Sequence, residues 1–121
     1  MRILNLIDGR MVPAHGGDWV DVFEPANGAV FAQCADSDAS DVDVAVLAAQ
    51  RSAPTWAAMP REQRCQLLQQ LAHRIAVESE SLAQLESRDS GKPVALAARM
   101  DIPRAVANLR FFAEMMTGWS S

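Results

Sequence analysis

The segment "RMDIPRAVANLRFF", residues 99–112, sets a carboxylate, a proline and an arginine just ahead of an apolar helical pattern. Asp101 suits an N-cap, since its side chain can accept first-turn amides and favours the positive end of the helix dipole. Pro103 then falls in the first turn, where its missing N–H costs nothing. Arg104 is the residue with chemistry to offer: a guanidinium is a planar, bidentate donor for a carboxylate and stays charged at every working pH. Residue type alone favours a solvated surface arginine, or a pair with Asp101 three residues back.

The other reactive side chains do not assemble into a site by spacing. Cys34 and Cys65 are isolated thiols, at a strand end and on an amphipathic helix, and read as small apolar residues. His15 lies beside two glycines and His73 on a helix, both single. Glu62, Glu78, Glu80 and Glu86 read as a charged helix surface rather than an acid–base pair. "SGKP" at residues 90–93 lacks the preceding glycine of a phosphate loop, which makes Lys92 structural.

The elements that must position these groups change period along the chain. Asp8-Gly9 and Asn27-Gly28 are hairpin-turn signals, the second flanked by Val20, Val22, Val30 and Ala32 in alternation. From residue 37 the period becomes helical. Ser40 with Asp43 offers a capping pattern, Val42, Ala45, Val46 and Ala49 form a stripe, and Ala53-Pro54 should end that helix. A second helix begins at Pro60 with Arg64, Leu68, Leu71 and Ile75 near one face, and a third ends at Ser90-Gly91 with Pro93 as a stop. The last is expected from about Asp101 to Met116, with "TGWSS" as its stop. The expected fold class is therefore α+β: a β-hairpin layer over residues 1–36, then roughly four helices over 37–121.

Bulk composition excludes several function classes. The chain has 121 residues, 50% hydrophobic and 21% charged, which is globular composition. A net charge of −4 without a basic cluster argues against nucleic acid. No apolar run approaches the roughly 20 residues that span a bilayer. Two lone cysteines are the pattern of a reduced, cytoplasmic protein. Val106, Leu109, Phe112, Met115 and Met116 make the last helix apolar on a broad face, more than a small hairpin layer can cover. A homo-oligomer is expected on that ground.

Read in order, these segments resemble the NAD(P)-dependent aldehyde dehydrogenases. "IDGRMV…FEPANGAVFAQC" is similar to their N-terminal segment, "DVDVAVLAAQRSAPTWAAMPREQRCQLLQQLAHRI" to their first long helices, and "LAQLESRDSGKPVALA" to their LAxLExxDxGKP element. "MDIPRAVANLRFFA" most resembles the branch acting on 2-hydroxymuconate and 2-aminomuconate semialdehydes.

The resemblance implies part of an α/β nucleotide-binding domain, without its Rossmann-type sheet. It implies oxidation of a semialdehyde carboxylate with NAD, and it places Arg104 at the substrate entrance, facing the distal carboxylate. The family's chemistry needs a thiolate nucleophile, a glutamate that activates water and an amide for the oxyanion. In the family these lie far downstream, and neither cysteine here matches that motif, so catalytic and NAD-binding residues are expected to be absent. The resemblance also implies a monovalent-cation site from the carbonyls of Val22 and Phe23 with Asp89, although Glu24 stands where the family has asparagine. Asp89 as a plain turn or cap residue remains open. The rival expectation is a stand-alone binding or self-associating protein without catalysis, carried by the uncovered helical faces.

Overall fold

The structure is a computed structural model and describes residues 1–118; of "TGWSS", the part from residue 119 lies outside the described residues. The chain divides into two compact units, Met1–Ala58 and Met59–Ser121.

In the first unit, strands β2 (Asn5–Ile7) and β3 (Arg10–Val12) pair with Ile7 opposite Arg10. That leaves Asp8 and Gly9 as the two turn residues, both left-handed, at φ 52° and 72°. This is the primed turn whose twist matches the flanking strands, and Asp and Gly tolerate it. Strands β4 (Trp19–Phe23) and β5 (Val30–Ala35) form the second hairpin, Val22 opposite Ala32. In its loop the Gly28 N–H donates to Glu24 O at 2.8 Å and the Ala29 N–H to Asn27 Oδ1 at 2.8 Å. The layer is not hairpins alone. β1 (Arg2–Ile3) runs parallel to β5, Arg2 beside Gln33, and makes a three-stranded sheet in the order β1-β5-β4.

Helix α1 spans Ala39–Ala58 and departs from expectation in three ways. Its cap is Asp38, not Ser40. The Ser40 and Asp41 amides donate to Asp38 Oδ1 at 2.8 and 3.2 Å, and the Asp38 N–H donates back to Asp41 Oδ2 at 3.0 Å. Ser40 had the right chemistry, but its hydroxyl instead donates to the same Asp38 oxygen at 2.6 Å.

Pro54 lies inside the helix rather than ending it. The carbonyl that loses its partner belongs to Gln50, an exposed residue, where water can satisfy it. The stripe is also displaced by one position: Asp41 and Ala48 are buried with Ala45 half-buried, while Val42, Val46 and Ala49 stand exposed.

The second unit is helical: α2 (Arg61–Val77), α3 (Ser79–Ser90), a short α4 (Val94–Leu96), a π-helical turn (Ala97–Asp101) and α5 (Ile102–Gly118). Pro60 caps α2 from outside, and Gly91 closes α3 at φ 75°, its N–H on Ser87 O at 2.9 Å. Helices α2 and α5 pack together, burying Cys65 and Ala72 on one and Val106 and Ala113 on the other. Arg64 stands half-buried beside that face, its Nε enclosed and without a hydrogen-bond partner among the described residues.

The buried positions are mostly alanine: Ala14, Ala32, Ala48, Ala72, Ala83, Ala97 and Ala113. Small side chains allow close approach of backbones, but each removes little apolar surface from water. The larger apolar groups stay outside, Phe112 62% exposed among them.

Candidate functional site

Arg104 stands in the first turn of α5, exposed. Residues at intervals of three and four share a helix face, so Arg104 heads a line that continues through Asn108, Phe111 and Met115, all exposed. Phe111 and Phe112 meet edge to face with ring centroids 5.3 Å apart. Among the described residues the Arg104 guanidinium has no hydrogen-bond or ion-pair partner, and the alternative pair with Asp101 does not form.

Asp101 is engaged elsewhere. Its Oδ2 accepts from Lys92 Nζ at 2.5 Å, and Glu86 Oε1 lies 3.9 Å from the same ammonium. The hydrogen bond that Lys92 donates to Asp101 holds its pKa above the ordinary lysine range, with desolvation opposing and the two carboxylate charges acting the same way as the bond. Asp101 is therefore not an N-cap. The helical run already begins at Val94, so Asp101 falls within it, at the end of the π turn. Lys92 is structural as expected, and its backbone is held too. Ser87 Oγ donates to Lys92 O at 2.5 Å, and the Lys92 N–H donates to Ser90 Oγ at 3.3 Å. Pro93 stops α3 and also leads directly into α4.

The turn changes which faces the run presents. An unbroken α-helix would carry Val106 about 180° around the axis from Ala97; both are buried, the π turn packing on α3 and α5 on α2. The π turn, in which the Ile102 N–H reaches back five residues to Ala97 O, takes up one extra residue and brings the two to within about 80°. Pro103 follows at once, where its ring and missing N–H meet an already widened turn. This turn and the Lys92–Asp101 pair escape a reading by local pattern. The one available signal was a proline inside a helical pattern ten residues after Pro93.

The proposed cation donors fall in different units. Val22 and Phe23 are consecutive on β4 at a bulge, where the pairing shifts and Phe31 is the inserted residue of β5. Asp89 is exposed in the last turn of α3.

Cys65 is buried and Cys34 half-buried, both free. Among the described residues no group of three or more His, Cys, Asp and Glu is placed to hold a metal. No described helix is long and apolar enough to cross a membrane. Nor do the described residues contain a glycine-rich strand–turn–helix unit, so no residue here is assigned to a dinucleotide.

This hairpin layer followed by helices is the architecture of the N-terminal part of aldehyde dehydrogenase structures. The aldehyde dehydrogenase family matches residues 11–120. The chain belongs to that family.

Among its relatives, human 2-aminomuconic semialdehyde dehydrogenase is 38% identical over 113 residues, covering 93% of this chain and 23% of the human protein. Among solved structures, PnpE from Pseudomonas sp. WBC-3 superposes with a TM-score of 0.92 at 43% identity, over 95% of this chain and 24% of PnpE. PnpE has also been seen in complex with nicotinamide adenine dinucleotide. The aldehyde dehydrogenase of Bacillus cereus, in its NAD+ complex, gives 0.91 at 36% identity, over 94% of this chain and 24% of the other. The chain thus spans about a quarter of the length of the proteins it matches.

Proposed function

We propose that this chain is the N-terminal segment of an NAD-dependent dehydrogenase that oxidises a carboxylated semialdehyde, of the muconic semialdehyde type, to the dicarboxylate. The observation that carries this reading is the 38% identity to human 2-aminomuconic semialdehyde dehydrogenase across 93% of the chain.

Within that enzyme, Arg104 meets the substrate's distal carboxylate. Its exposed guanidinium at the head of α5 supports the role, because no partner among the described residues competes for it. The nucleophile, the general base and the dinucleotide site belong to parts of the enzyme outside this segment. The isolated chain is therefore inactive in the cytoplasm or in a cuvette.

The test is Arg104→Ala in the complete dehydrogenase carrying this segment. A charge-assisted hydrogen bond contributes about 1.5–3 kcal/mol, which is roughly ten- to a hundredfold in kcat/KM for the carboxylated semialdehyde. An uncharged aldehyde of similar length should be almost unaffected. Equal losses for both substrates refute the assignment.

A second reading, a self-associating protein without catalysis, draws support from the exposed Phe111, Phe112 and Met115. Both readings expect association with a further copy or with the remainder of the enzyme.

A further inference from the structure

We infer that Lys92 is a positioning residue: by holding Asp101 it fixes the π turn, and through the turn it sets the direction of Arg104. This rests on the reading of Arg104 as the contact for the substrate carboxylate.

Three observations meet at this point. First, Lys92 is presented from a rigid base. Gly91 closes α3 in the left-handed conformation, and the Ser87 and Ser90 hydroxyls bond the Lys92 carbonyl and amide. Second, its ammonium reaches nine residues forward to Asp101, the last residue of the π turn. Third, Pro103, two residues on, has no N–H, so the run loses one backbone hydrogen bond just after the Ile102 N–H to Ala97 O bond that closes the π turn. The side-chain bridge adds a second hold on a turn that is one backbone hydrogen bond short.

The consequence for Arg104 follows from helix geometry. Beyond the turn, Val106 and Ala113 keep α5 seated against α2. If the turn relaxed to an ordinary α-helical one, α5 would have to rotate by about 100° relative to Ala97, taking Val106 and Ala113 off α2 and carrying Arg104 with it. Lys92 and Asp101 are each about one-third exposed, at 33% and 34%, and such a pair adds little to overall stability. Register is what it controls.

The experiment has two arms. In the 121-residue chain, hydrogen exchange is followed peptide by peptide in Lys92→Met, Lys92→Arg and Asp101→Asn. Lys92→Met and Asp101→Asn should speed exchange across the π turn and the start of α5 by roughly three- to tenfold, leaving α2 protected. Lys92→Arg, which keeps the charge, should restore most of the protection.

In the complete dehydrogenase carrying this segment, Lys92→Met should raise KM for a carboxylated semialdehyde by roughly three- to tenfold, without a matching change for an uncharged aldehyde. It should add nothing in an Arg104→Ala background. A KM increase shared by both aldehydes, or one that persists without Arg104, overturns the inference. So does exchange at the turn that Lys92→Met leaves unchanged, whatever Arg104 does. If instead Arg104→Ala alone treats both aldehydes alike, the substrate reading falls, and accelerated exchange at the turn still supports the clamp.

Discussion

Asp41 ties the first unit together, and its removal should be felt across that unit. It is a charged residue only 8% exposed, and its two oxygens serve two separate pieces of backbone. Oδ1 accepts the His15 N–H at 2.9 Å, from the loop after β3, and Oδ2 accepts the Asp38 N–H at 3.0 Å, at the head of α1.

Asp41→Ala deletes both bonds. A hydrogen bond to a charged group contributes about 1.5–3 kcal/mol, and loss of a capping contact costs about 1 kcal/mol. His15 and Asp38 are exposed residues, so water can reach the freed amides and the penalty falls short of the full sum. A loss of about 2–3 kcal/mol is expected, a sizeable part of the 5–15 kcal/mol that small domains possess.

Native-state hydrogen exchange of the β5 and α1 peptides reads this directly. At about 1.36 kcal/mol per decade, exchange should accelerate roughly thirty- to a hundred-and-fifty-fold. Asp41→Asn keeps one acceptor but turns an NH2 group toward an amide donor, so it should lose at least half as much. Asp43→Ala, on the same helix but exposed, is the control and should stay within about 0.5 kcal/mol. If Asp41→Ala exchanges like the Asp43 control, the carboxylate is not the tie described.

Other outcomes follow from the same structure. The Ser40 hydroxyl and then the Asp41 amide hold the Asp38 carboxyl below its ordinary 3.8. A depressed carboxylate stabilises above its unfolded pKa and loses that effect as pH falls through the folded value. Acid melting of the first unit below about pH 4 should therefore be blunted in Asp38→Asn, which is less stable at neutral pH but flatter in acid. For Lys92 the sign reverses. Its pKa lies above the ordinary 10.5, so its contribution is intact below that value and is lost as pH rises through the raised one. Alkaline melts of wild type and Lys92→Met should converge there.

Arg64→Met should be neutral or stabilising by up to about 1 kcal/mol in thermal melts, because it removes an enclosed Nε that has no hydrogen-bond partner among the described residues. A clear loss would show that the guanidinium makes a net favourable contribution. Purified chain with NAD and a semialdehyde should form no NADH. Sedimentation velocity at rising concentration should show association through the Phe111, Phe112 and Met115 face, and a clean monomer without dye-binding apolar surface would count against it.

Where backbone sterics decide, this sequence was enough. Asp8-Gly9 and Asn27-Gly28 make the turns their residue types demand, and Gly91 closes α3, because a left-handed φ is a local requirement. The period change near residue 37, the family and its ordered motifs were equally legible.

Tertiary structure decided what depends on partners distant in sequence. The parallel β1–β5 pairing has no local signature, since parallel strands are joined only through long connections. The choice of Asp38 over Ser40 as cap, and of the Asp41, Ala45 and Ala48 face of α1 over its valine stripe, follows from Asp41 being drawn onto the His15 amide. Pro103 looked like a helix start because a proline normally marks one. It lies instead in mid-run, because the helical run already begins at Val94 and passes through a π turn, beside which Lys92 holds Asp101. Which helices such a turn packs against, and which charge reaches it from nine residues away, are properties of the folded chain, and no short window of sequence contains them.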